Sequence, residues 1–187
     1  MRLVSIQRLL RRGAITNLAK MLARMHPADI ANVIDHLSSL KEKREIFELV
    51  RGDVKRGQVL SELDGESITL VLSDLLPSDA AWLLKDLGSD DIAHILSVIP
   101  NDRAKEILAL MRTEDSTEIA DLLKYPKGTA GGIMTTEFFA LSEDATAQEA
   151  IRRLQQATDA EMVFYIYVTD KDDRLVGVLS LRQLLTV

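Results

Sequence analysis

The sequence predicts a mainly α superhelix of short helices over residues 1–127, followed by a small α/β half domain over 128–187. Three observations carry this. Paired apolar residues recur every twelve positions over 59–123, residues that start helices recur on the same period, and beyond residue 127 one amphipathic helix and two apolar strands replace the repeat.

Val59, Val71, Leu83, Ile95, Ile107 and Ile119 share one register. Leu60, Leu72, Leu84, Leu96, Leu108 and Ala120 follow one residue later. Leu63, Leu75, Leu87, Ile99, Met111 and Leu123 then complete an i, i+1, i+4 pattern that a helix brings to one face. Pro77, Ser89, Asn101 and Thr113 open successive units, with Asp79, Asp90, Asp91, Asp102, Glu114 and Asp115 just inside, where carboxylates complement the positive end of a helix. A helix of about eight to ten residues returns too few hydrogen bonds to offset its nucleation. The units are therefore expected to stack, with the apolar pairs as a continuous core. Residues 6–50 read as longer helices, starting near Thr16 and at His26-Pro27, that cap the stack, while Gly52 and Gly57 weaken the pattern. Trp82 lies on a repeat face and reads as core.

Tyr125-Pro126-Lys127-Gly128 closes the repeat, Gly131-Gly132 reads as a flexible break, and 135–140 as extended chain. An amphipathic helix is expected over 143–157, with Ala147, Ala150, Ile151 and Leu154 on one face. Strands over 163–168 and 175–179 flank a charged turn, and a last helix starts at Ser180 and reaches Val187. Met134 and the aromatic run 164–167 read as core.

With 47% apolar and 28% charged side chains, the 187 residues suffice for a buried core. No apolar run reaches the ~20 residues of a bilayer crossing and the N-terminus lacks the apolar stretch of a signal peptide, so the piece is expected to be soluble. The absence of cysteine excludes disulfides, thiolate zinc sites and a cysteine nucleophile. His26, His36 and His94 have no second His at ligand spacing, which argues against zinc or iron. A net charge of −6 argues against a nucleic-acid surface and favours cations as guests. With no Gly-x-Ser-x-Gly, His-Glu-x-x-His or other catalytic constellation, no enzyme is expected.

The second segment resembles a CBS domain in Gly132-Ile133-Met134-Thr135, the helix, the two strands and the closing Gly177-Val178-Leu179-Ser180-Leu181-Arg182. Tyr125-Pro126 leading into Ala130-Gly131-Gly132-Ile133-Met134-Thr135-Thr136-Glu137-Phe138, with Tyr165-Ile166-Tyr167-Val168 downstream, resembles the linker and first CBS half of MgtE-type magnesium transporters. His26-Pro27-Ala28-Asp29-Ile30-Ala31 and the acidic-capped repeats resemble that family's N-terminal superhelical domain. The resemblance implies a cytosolic regulatory fragment on the cytoplasmic side of the cell membrane, cut before a second CBS motif and a transmembrane domain. A lone CBS half leaves one sheet face uncovered, to be covered by the missing motif or by a second copy in a homodimer.

The resemblance also implies a magnesium sensor: Mg²⁺ would bridge carboxylates between the superhelix and the CBS region and hold the pore shut, and its loss would release them. Asp90 matches the family position whose carboxylate faces the CBS region, Asp91 is its neighbour, and Gly132 matches a glycine whose carbonyl faces the same ion. Asp90 and Asp91 also suit helix capping after Ser89. Gln58 stands where the family can offer a glutamate, and His94 stands one turn after Asp90 where an acid would fit better, which implies fewer or looser ions. CBS pairs often bind adenine nucleotides through an aspartate in the last helix; here that position is Gln183, after Arg182. An energy-sensing nucleotide module is therefore one alternative. A helical interaction scaffold, like the helical domains of flagellar motor switch proteins, is another.

Overall fold

A computed structural model of the chain describes residues 2–156 and 164–186. Helices α1 (Arg2–Arg11), α2 (Ile15–Ala23), α3 (Pro27–Asp35), α4 (Leu40–Leu49), α5 (Asp53–Ser61) and α6 (Gly65–Asp74) lead into α7 (Pro77–Leu84), α8 (Ser89–Val98), α9 (Asn101–Leu108) and α10 (Thr113–Leu122). The last four begin at the residues marked by the period. The early helices are as short as the later ones to within a residue or two, since turns at Gly13 and Gly52 and the cap at Ser39 divide runs that the apolar pattern alone left open. His26 caps α3 through its ring nitrogen and Pro27 takes the first helical position, where its missing N–H is not needed.

The stacking differs from a simple one-helix repeat. Helix α3 packs on α5, α5 on α7 and α7 on α9; α2 packs on α4, α4 on α6, α6 on α8 and α8 on α10. Odd and even helices thus form two rows, and the structural unit is a helix pair, two sequence periods long. Val59, Leu60, Val71, Leu72, Leu83, Leu84, Ile95 and Leu96 lie buried between the rows. The second register opens towards the C-terminal end, where Leu108 is half-buried and Ala120 exposed.

Cations from later helices close the carbonyl ends of earlier ones. The Lys55 ammonium donates to the carbonyls of Leu22, Ala23 and Met25 at the end of α2, and Arg103 to those of Leu72 and Leu75 at the end of α6. Buried Lys43 donates to buried Ser67 at 2.9 Å, and the Ser67 N–H donates to Asp64, the cap of α6, at 2.7 Å. Burial works against the charged Asp64 carboxyl, but the Ser67 hydrogen bonds and the Lys43 charge outweigh it and hold the group below the usual carboxylate range.

Trp82 is not core: it is 57% exposed, its indole N–H donates to Asp53 at 3.1 Å, and the Lys85 ammonium sits 3.3 Å above its ring. The period carried most of the signal, because Gln58, His94, Glu106 and Glu118 share this register, with half-buried Leu70 as its one other apolar member.

The first unit spans Met1–Met134 and the second Thr135–Val187. In the second, β1 (Ala140–Ser142), α11 (Ala147–Gln156), β2 (Tyr165–Thr169), β3 (Leu175–Ser180) and α12 (Leu181–Leu184) form a sheet of order β1-β2-β3 with β1 parallel and β3 antiparallel to β2. Ala157, Val163 and Val187, where the sequence extended two helices and a strand, lie outside the described residues. Asp170 holds the charged turn by accepting from the backbone N–H of Asp172 and Arg174, both at 2.9 Å. Leu141, Ala150, Ile166 and Leu184 make the core.

The aromatic run is mostly surface. Ile166 is buried, whereas Phe164, Tyr165 and Tyr167 are exposed, and Met134 in the first unit is also exposed. Tyr165 and Tyr167 alternate with Ile166, so they fall on the opposite sheet face, where Val178 pairs with Tyr167 and the Phe138 ring meets Tyr167 edge-on at 5.8 Å. Among the described residues no helix is long and apolar enough to cross a membrane.

Candidate functional site

Helix α8 is pinned by Ile92, Ala93, Ile95 and Leu96, which are buried. That fixes the direction of the stripe one and two turns along from Asp90, namely His94 and Ser97. The chain after α10 returns to this stripe. Residues 125–134 wrap into a turn that ends in a short 3₁₀ segment, Gly131–Ile133, packed on α8.

The turn is tied by its own bonds: the Gly132 N–H donates to the carbonyl of Thr129 at 3.0 Å, and the Thr129 hydroxyl donates to the carbonyl of Pro126 at 2.7 Å. The two glycines are no flexible break. A Cβ on Gly132 would stand 2.5 Å from the Pro126 carbonyl oxygen, and one on Gly131 would enter the Tyr125 ring, so close packing demands glycine at both.

Between stripe and turn lies a cleft of about 430 Å³, with Asp90, His94 and Ser97 on one wall and Lys127 and Gly132 on the other. Leu122 and Leu123 join its lining. Asp90 and Gly132 are brought together on this cleft. Asp91, one residue on and so about 100° round the helix, is exposed and does not line it. Gln58 is exposed on α5 and does not line the cleft.

Neither aspartate holds the cap position of α8, which Gly88 occupies; both lie in the first turn, near the positive end of the helix. Asp90 is half-buried, and among the described residues no hydrogen bond or ion pair engages its carboxylate. Lys127 was not foreseen as part of the site, because no periodic pattern links the turn to the helix. Lys127 is exposed and brings a positive charge to the cleft lining, which weakens the pull of the site on a cation.

The donors present suit a weakly held, largely hydrated magnesium ion. Mg²⁺ keeps several waters and takes one or two carboxylates, which Asp90, backbone carbonyls of the turn and the Ser97 hydroxyl can supplement. Among the described residues no group of three or more His, Cys, Asp or Glu converges, so a closed zinc or calcium cage does not fit.

In the second unit, Ser180 and Gln183 form a capping box for α12. The Gln183 side-chain oxygen accepts from the Ser180 N–H at 2.9 Å and from its hydroxyl at 2.8 Å. Its carbonyl is thus committed to the helix start, while the Arg182 side chain is exposed.

The sequence profile of the MgtE intracellular N domain matches residues 25–128, and that of the CBS domain matches residues 130–187. The magnesium transporter MgtE of Thermus thermophilus is 49% identical over 65 residues, 34% of this chain and 14% of that protein. That of Bacillus subtilis is 28% identical over 178 residues, 95% of this chain and 39% of that protein. The chain therefore spans about two fifths of the length of this curated relative. Among solved structures, the cytosolic domain of the Mg²⁺ channel MgtE in complex with ATP superposes with a TM-score of 0.83 at 33% identity, covering 99% of this chain and 75% of that one. The soluble part of a magnesium transporter gives 0.75 at 26% identity, covering 99% and 73%.

Proposed function

The chain belongs to the MgtE family, as an intracellular N domain joined to a CBS domain, and we propose on that footing that it is a non-catalytic magnesium sensor that gates the pore of a transporter. The observation that carries this reading is the half-buried, unengaged Asp90 carboxylate facing the Gly132 turn across one cleft. A cation there neutralises a charge that is otherwise partly desolvated, so the ion stabilises whichever conformation closes oxygen ligands around it. Magnesium acts only through that preference: at high concentration the closed arrangement dominates and the pore is shut, and at low concentration it is released.

The exposed apolar sheet face of Tyr165, Tyr167 and Val178 fits a further CBS motif or a second copy of the chain, and we read it as their seat. An adenine nucleotide is the weaker reading for this chain. A solved relative carries ATP, but the Gln183 side-chain oxygen is already engaged here, which leaves exposed Arg182 of the two residues expected to bind it.

Magnesium at about ten times its Kd is expected to stabilise the chain by roughly 1.4 kcal/mol, a rise in Tm of about 3–5 °C for a unit of this size. Asp90→Asn keeps the shape and removes the charge, so its Tm is expected to stay flat on magnesium addition. Thermal unfolding with ionic strength matched by sodium chloride decides this, and an undiminished magnesium shift in the variant would rule Asp90 out.

A further inference from the structure

We propose that α1 and α2 form a docking surface for an anionic membrane leaflet. The charge of the chain is segregated: six of its 23 Lys and Arg, and none of its 29 Asp and Glu, lie in the first 28 residues. A basic end thus precedes a strongly acidic remainder. Buried Ile6 and Leu10 on α1, and Leu18 and Leu22 on α2, hold the two helices to the core. That leaves Arg8, Arg11 and Arg12 exposed at the end of α1, on the face that also carries exposed Val4, and Lys20 and Arg24 exposed along α2. Lys20 and Arg24 also border a groove of about 420 Å³ that includes Met21 and Met25.

A purely structural role does not account for these charges. Among the described residues no ion pair takes up any of the five side chains. One or two cations in the last turn of α1 would complement its dipole, but the end of α2 is already closed by Lys55. Exposed Val4 and Ile15 lie among the basic residues. A bilayer interface suits this mixture, because it accepts apolar side chains beside Lys and Arg that reach to headgroup phosphates. The acidic remainder of a second copy would match the charge and leave Val4 and Ile15 against polar ground. The inference rests on the transporter reading only for the presence of a bilayer, and its site is separate from the Asp90 cleft.

Each Lys or Arg at an anionic surface raises affinity about fivefold, so the triple variant Arg8→Gln, Arg11→Gln, Arg12→Gln is expected to bind about a hundredfold more weakly. The test is co-sedimentation of the 187-residue chain with vesicles, in chelator so that magnesium cannot bridge protein and lipid. Binding is expected to phosphatidylcholine vesicles containing about a third phosphatidylglycerol and not to pure phosphatidylcholine. It should weaken as sodium chloride rises from about 0.1 to about 0.5 M. Circular dichroism of the variant checks that these exposed positions leave the fold intact. Equal binding to both vesicles, binding to neither, or full affinity in the triple variant would overturn the proposal. So would dissociation of a self-associated chain by the triple variant without any lipid binding, which would make a second copy the occupant. Because magnesium is chelated throughout, failure here leaves the magnesium reading standing, and failure of the magnesium titration leaves this one standing.

Discussion

Leu84→Ala is expected to destabilise the helical unit by about 2–5 kcal/mol, because it removes a fully buried side chain from between the two helix rows and the rigid stack cannot collapse to fill the space. Its position sharpens the effect. Helix α7 links α5 to α9 in the odd row, and in a stack held together by neighbour contacts a weakened central link uncouples the end beyond it. Leu108, two periods later on the same register, is only half-buried, so Leu108→Ala should cost clearly less. Urea unfolding followed by circular dichroism measures both. Equal losses would mean that the register alone, and not the row geometry, sets the energetics.

Gly57→Ala should destabilise by about 1–3 kcal/mol even though alanine is the better helix former by about 1 kcal/mol. Helix α5 crosses α7 so closely here that a Cβ on Gly57 would stand 2.7 Å from the Leu83 carbonyl oxygen, a backbone atom that cannot swing away. The added methyl must part the two helices. Gly65→Ala is the control: its Cβ meets only Val98 at 3.6 Å, ordinary contact, and as the first residue of α6 it feels little of the interior helix preference, so stability should hold or rise, by up to about 0.5 kcal/mol. A stabilised Gly57→Ala would show that α5 and α7 do not approach as described.

These two sites mark where the sequence was and was not legible. Helix starts at Pro77, Ser89, Asn101 and Thr113 could be read directly, because Pro, acidic first turns and apolar pairs all report local backbone conformation. The two-row stacking could not, since a period shows which residues face inward but not which helix they meet. Gly57 looked like a weakness in the pattern for the same reason: its cause is a neighbour 26 positions away in the chain. Trp82 was misread because hydrophobicity outweighed its register, which His94 and Glu106 place at the surface. At the candidate site, Asp90 and Gly132 came from family resemblance and meet on one cleft only through the turn after α10. Asp91 entered the expected site only as the neighbour of Asp90, and helical geometry separates them.

The most direct test of magnesium sensing is small-angle scattering of the chain across millimolar magnesium, beside a sodium chloride series of matched ionic strength. A fall in radius of gyration that is specific to magnesium and absent in Asp90→Asn is the expected result. No fall, or the same fall in sodium chloride, would contradict a magnesium-held closed state in this chain.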